Sequence, residues 1–366
     1  MTELDLSDVV FSGTPLTDGP IGTSERLVIM GQSEDVETAL RAVCAKTEVC
    51  ALAGEATASD TLIRYAKHQL RALTGSRAAV RPGLEHVRLA ARFFGITVDG
   101  RRAEELDPAA RTRLRLAVTI AAALTQNTPW LALNRPFDGI PTRARAGIRG
   151  RLLDALDHFE LGAVFALDSA VDAGIIGGRT VVLELDQVAD AGDFGQQLRT
   201  PRSNLAADLA GVNVFNGLAR RGWLSIGHSQ VRAKTELDGK VFVTIPTGAV
   251  RLSFDEFSPI FDGEAVFEAL VVGLHDKDSK VQVTLSPSDT EVGLALQADL
   301  FDFSARAADN SELPWGVLHP DLGADIAQQS TAVRPGTRLW VEVDTAQMRA
   351  YPVEDASPTA VMGAKE

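Results

Sequence analysis

Apolar residues recur along the chain at strand and helix spacings that alternate as far as about residue 210 and give way to strand spacing beyond it. Arg26-Leu27-Val28-Ile29-Met30 is a short apolar run stopped by Gly31, the pattern of a buried strand. From Glu34 to Lys46 the apolar residues Val36, Leu40, Val43 and Cys44 recur at helical spacing. A strand, a glycine and then a helix is the geometry in which helix N-terminal amides face a bound phosphate. A helix is predicted over 111–124, with Leu114, Val118, Ala121 and Ala122 in one stripe, and another over 143–159. Trp130-Leu131-Ala132-Leu133 between them reads as a buried strand broken by Pro136, and 162–167 and 179–184 read as two further strands. Strands alternating with helices predict a mostly parallel sheet covered on both faces.

Near Gly211 the texture changes. Residues 241–245, 265–273, 280–285, 291–296 and 337–343 cluster or alternate β-branched residues between Gly, Asp, Ser and Pro turns. That pattern predicts an all-β region of small barrels. We therefore expect an α/β domain over 1–210, a β-barrel domain over 211–353 and a disordered tail over 354–366, where Ser, Pro, Ala and Gly gather.

Composition narrows the functional classes. A chain of 366 residues, 45% hydrophobic and 23% charged, can bury sizeable cores, which excludes a disordered or fibrous protein. The longest apolar run, 117–124 apart from Thr119, is far short of the ~20 residues that span a bilayer, and the acidic start Met1-Thr2-Glu3-Leu4-Asp5 does not read as a signal peptide. Cys44 and Cys50 alone make no disulfide framework or metal quartet, so the cytosol is the expected compartment. The net charge of −13 is unevenly spread. Residues 64–151 carry 17 Lys/Arg against 6 Asp/Glu, a basic segment in an acidic chain. Its aromatics are too sparse for a stacking platform, so nucleic acid is not an expected partner.

The order of these pieces resembles the nucleotide-binding subunit of an ABC importer with a C-terminal TOBE domain, of the molybdate, sulfate, iron or sugar-uptake type. Trp130-Leu-Ala-Leu-Asn-Arg-Pro-Phe-Asp-Gly-Ile140 is similar to the family's LLLLDEPFSAL strand and turn, and Arg179-Thr-Val-Val-Leu-Glu184 to its DRVVVLE. Residues 200–215 resemble the lead into the TOBE barrel, and Gly336-Thr-Arg-Leu-Trp-Val-Glu-Val343 the family's PGDRVWVSV. The resemblance implies a P-loop-NTPase-like ABC ATPase core followed by a small OB-like, TOBE barrel region.

Set against that family, the residues that would handle ATP are changed. Where the family has GxxGxGK[ST], this chain has Gly31-Gln-Ser-Glu-Asp-Val-Glu-Thr38. Gly31, Ser33 and Thr38 are the vestigial cofactor-binding positions. Glu34 and Val36 replace glycines, and Glu37 stands where the phosphate-binding lysine belongs, so a carboxylate would face a triphosphate. The Walker B pair, a magnesium-binding aspartate and a glutamate that orients water, is Asn134-Arg135. Asp168 takes the place of the switch histidine, and the turn Asp138-Gly139-Ile140-Pro141 ends in proline. Leu106-Asp-Pro-Ala-Ala-Arg111 is the nearest remnant of the LSGGQ signature, and no Q-loop glutamine can be placed between Gln69 and Leu106.

Other chemistry is thin. The six histidines show no paired metal spacing, and no Gly-x-Ser-x-Gly turn occurs. In the β region Lys280, Ser286 and Thr345 could donate to an oxyanion. The sequence-level expectation is a pseudo-ATPase ABC subunit with no catalytic residues, no cofactor and no metal. Its expected partners are an ABC permease and an intact ABC ATPase subunit, as a homo- or heterodimer, peripheral to the inner face of the membrane through that partner. The alternative is a soluble scaffold or small-ligand sensor derived from the same fold.

Overall fold

The computed structural model describes residues 3–23, 25–256, 265–277, 280–302 and 333–353. The expected tail over 354–366 lies outside the described residues. The chain forms two compact units, Met1–Gln197 and Leu198–Glu366.

The first unit opens with four two-residue strands, β1 (Glu3–Leu4), β2 (Val10–Phe11), β3 (Thr14–Pro15) and β4 (Ile21–Gly22), with β1 paired to β4 and β2 to β3. There follow β5 (Arg26–Gly31), α1 (Ser33–Cys44), β6 (Val49–Ala51), α2 (Leu62–Thr74), α3 (Val80–Phe93), α4 (Pro108–Gln126) and β7 (Trp130–Asn134). After them come α5 (Thr142–His158), β8 (Gly162–Ala166), α6 (Ala170–Ile176), β9 (Arg179–Glu184) and β10 (Gln187–Asp193). The six-stranded sheet has the order β10-β9-β5-β8-β7-β6. All pairs are parallel except the β9–β10 hairpin. Leu27 and Ile29 of β5 pack with Val36, Leu40 and Val43 of α1, and Leu6, Phe11 and Ile21 of the N-terminal segment join the same core. Residues of opposite parity, among them Val28, Met30, Leu131 and Phe165, are equally buried. Strands buried on both faces account for their continuous apolar runs.

Two glycines have packing reasons. A Cβ on Gly31, whose φ is +143°, would stand 2.0 Å from the Leu183 carbonyl oxygen of neighbouring β9. A Cβ on Gly162 would stand 2.6 Å from the Trp130 ring, so the small residue lets that buried indole lie flat on β8.

Helices α2 and α3 pack against α4 between β6 and β7 in the chain. Local signals bound α2: the Thr61 hydroxyl accepts from Arg64 N to cap it, and Gly75, in the left-handed region, ends it. The helical segment is therefore fuller than its sequence suggests, because its stripes are built from Ala, Tyr and Val among many arginines.

In the second unit, α7 (Phe194–Arg199) runs across the division and α8 (Asn204–Ala210) ends at left-handed Gly211. Ten strands follow among the described residues: β11 (Val212–Arg220), β12 (Trp223–Ile226), β13 (Arg232–Lys234), β14 (Gly239–Pro246), β15 (Val250–Ser253), β16 (Val266–Lys277), β17 (Lys280–Pro287), β18 (Leu296–Asp302), β19 (Arg338–Val343) and β20 (Arg349–Pro352). They form two antiparallel five-stranded sheets, β13-β12-β11-β14-β20 and β15-β19-β16-β17-β18, curled around one core that includes Val243, Ile245, Val283 and Val341. The run 291–296 is not a strand. Asp289 accepts from the amide of Glu291, and its carbonyl from those of Val292 and Gly293, so turn chemistry holds the segment until β18 begins at Leu296.

Candidate functional site

The carboxyl ends of β5, β7 and β8 lie side by side, the edge at which open α/β sheets bind ligands. Here β5 ends at Gly31 and α1 begins at Ser33, with only Gln32 between them as the N-cap. The residues aligned with a phosphate loop are thus wound into helix. Glu34 and Val36 in place of glycines make this possible, since both fit helical φ and ψ and neither provides the conformational freedom an open loop uses. Glu34 and Asp35 lie in the first turn, where the positive end of the helix favours them, and no side chain caps the helix.

Each vestigial position is engaged by other groups of the first unit. The Gly31 backbone lies against Leu183 of β9. The Thr38 hydroxyl donates to the Glu34 carbonyl at 2.9 Å within α1. The Ser33 hydroxyl accepts from Nη2 of Arg135 at 2.9 Å. Arg135 follows β7 in the left-handed region, with φ of 41°, and its amide donates to Ala166 O of β8. The Asp35 carboxylate accepts from the amide of Asp186 in the β9–β10 turn. The structure therefore joins Ser33 to Arg135, while Asn134 and Glu37 are exposed and line a cleft of about 390 Å³ with Arg41, Cys44 and Arg115. Arg115 anchors the far wall: its Nε donates to Ala53 O at 2.5 Å, and its Nη1 is 3.6 Å from Glu55. Burial raises the Cys44 thiol pKa; the Cys50 thiol is pushed up to about 12, chiefly by burial and then by Cys44.

The remaining sequence candidates hold the fold together. Asp107 of the Leu106–Arg111 segment caps α4, accepting from Ala110 N at 2.6 Å. In the turn before α5, Gly139 has φ of 70° and the Ile140 carbonyl accepts from Arg145. Asp168 is exposed after β8, and neighbouring Ser169 caps α6 by accepting from Asp172 N. Asp172, buried, is paired with Arg145 and with buried Arg149, which ties α6 to α5. Sequence reasoning missed this triad, though the spacing of Arg145 and Arg149 on one face of α5 carries the signal. Of the oxyanion candidates, Lys280 donates to buried Asp299 at 2.7 Å, in a network with Gln282 and Thr247.

No family model matches the sequence. The chain is 26% identical over 244 residues to the molybdenum import ATP-binding protein ModC of two Mycobacterium tuberculosis strains, CDC 1551 and H37Rv. That match covers 64% of this chain and 58% of the relatives' own length. Two solved structures of the ABC transporter cassette MJ0796, a dimer and a post-hydrolysis state bound to ADP and Pi, are 14% and 15% identical. They cover 49% and 50% of this chain and 89% and 90% of theirs, each with a TM-score of 0.38. Over about two thirds of its length, then, this chain is similar in sequence to ATP-binding proteins of molybdenum import, and it spans 58% of their length.

Proposed function

We propose that the chain serves an ABC importer as a nucleotide-binding-type subunit that does not hydrolyse ATP, acting structurally or as a regulator at the cytoplasmic face of the transporter. The relatives are molybdenum import proteins, so the importer served is taken to handle molybdenum. The second unit is read as a TOBE-like regulatory domain. A permease and an ATPase subunit with intact Walker residues are the proposed partners.

The observation that carries this reading is the contact between Arg135 and Ser33, with α1 starting at Ser33. Phosphoryl transfer from ATP is catalysed almost wholly by positioning and by cations set around the phosphates. In this chain Glu34 and Asp35 lie in the first turn of α1 and Glu37 lines the cleft beside Asn134, and the amides that would line a loop belong to a helical turn. Asn134 is a weak neutral ligand for magnesium, and a guanidinium at 135 cannot accept a proton from an attacking water. The residues present do not fit a magnesium nucleotide. The test is affinity purification from gently solubilised native membranes. Recovery of a permease with an ATPase carrying intact Walker motifs supports the proposal; recovery of soluble partners alone refutes it.

A further inference from the structure

The second unit carries 15 Lys/Arg and 23 Asp/Glu, yet none of the residues in β11, β12, β13, β14 and β20 is acidic. Strand register places the basic residues of this sheet together. In β11, β12 and β13 the residues Ala219, Leu224 and Ala233 are paired across the sheet and face the core, so their neighbours in the chain face outward. One outward row is Arg220, Trp223 and Lys234, directly paired. The next holds Lys240, Leu218 and Arg232, with Ser225 between the last two. Trp223 is 53% and Leu218 46% exposed, and the four cations around them are exposed without an ion pair among the described residues.

We propose that this outer sheet face docks on an anionic phospholipid surface. Four such cations on strands that hold no acidic residue, with Glu236 and Asp344 beside them only at the β13 edge, are complementary to a negatively charged plane. An indole and a leucine side chain at the centre of that ring provide apolar groups that settle at the headgroup boundary, where tryptophan is favoured. A single-stranded nucleic acid would need a succession of open aromatic faces. Among the described aromatics of this sheet, Phe215 packs against the core, Phe242 and Tyr351 stack on each other at 5.9 Å, and the Tyr351 hydroxyl is bonded to the Pro201 carbonyl, which leaves Trp223 as the open ring. This inference stands on the second unit alone and does not depend on the loss of ATP hydrolysis.

The test is sedimentation of the full chain with vesicles of phosphatidylcholine containing phosphatidylglycerol, against phosphatidylcholine alone and against oligouridylate. The expected result is binding to the anionic vesicles that weakens with added salt and falls at least ~tenfold in Arg232→Glu/Lys234→Glu, with Trp223→Ser also weakened. Arg220→Gln/Lys240→Gln is a second charge variant at other positions, and both are checked for an unchanged melting temperature. Failure to sediment with anionic vesicles overturns the proposal, as does binding unaffected by either charge variant. Tighter binding of oligouridylate than of vesicles, lost in the same variants, would assign the face to nucleic acid instead.

Discussion

Arg135 Nη2 donates to Ser33 Oγ at 2.9 Å, joining the turn after β7 to the first residue of α1 across the carboxyl edge of the sheet. The bond links two positions that in an ATPase of the resembled family would hold magnesium nucleotide between them. The guanidinium sits on the Ser33 hydroxyl, while in the following helix Asp35 accepts from the Asp186 amide and Glu37 lines the cleft beside Asn134.

Because several positions have changed together, restoring two should not restore turnover. The double variant Glu37→Lys/Arg135→Glu is expected to release no phosphate from ATP above background in a coupled assay. Measurable hydrolysis by that variant would show that the helical start of α1 can still open into a working loop.

Gly31 is retained for a reason apart from nucleotides. Gly31→Ala would set a Cβ against the Leu183 carbonyl at a φ of +143°, costing about 2 kcal/mol or more in stability. For a unit of this size that predicts a melting temperature lower by roughly 4 °C or more. An unchanged melting curve would contradict the close approach of β5 and β9.

The Asp172 pairs give a third test. Removing one partner of a buried pair leaves the other charge uncompensated, so Asp172→Ala should destabilise the first unit by about 3 kcal/mol in denaturant unfolding. Arg149 is the buried partner. The double variant Asp172→Ala/Arg149→Met should recover most of that loss, since an apolar replacement removes the stranded charge. Equal losses in the single and double variants would mean that the charge is not what matters.

Cys44 is exposed as a residue and Cys50 is buried. Burial disfavours the charged thiolate, so both folded-state pKa values lie above that of a free thiol. A raised pKa leaves less thiolate at neutral pH than in the unfolded chain. Reaction of the native protein with Ellman's reagent should therefore be slow near neutrality and quicken as pH rises through the alkaline range, with Cys44 reacting first. Cys50 should react only on unfolding. Two fast thiols at neutral pH would show that the α1–β6 contact is open.

Periodicity alone makes much of the first unit legible. β5, β7, β8 and β9 are continuous apolar runs because parallel strands are buried on both faces, and α1, α4 and α5 show their stripes. Helices α2 and α3 are harder to read, since their buried faces use small residues such as Ala66, Gly83 and Ala90 and their exposed faces are arginine-rich. At the candidate site, Glu37 and Arg135 are legible as chemically unsuited residues, but their consequence for the backbone is not. That α1 begins at Ser33 depends on how missing glycines shift a helix start, and the Ser33–Arg135 bond joins residues 102 apart in sequence. In the second unit, alternation locates the strands, while the basic outer face emerges only from the register that sets Trp223 between Arg220 and Lys234.

The most direct measurement is a titration of the purified full chain with magnesium ATP, followed by calorimetry and by thermal unfolding. A helix start carrying Glu34, Asp35 and Glu37 predicts no binding heat and no shift in melting temperature at millimolar nucleotide. Saturable binding that stabilises the fold, by about 2.7 kcal/mol at a hundredfold excess over Kd, would contradict the reading of this site as one that no longer handles nucleotide.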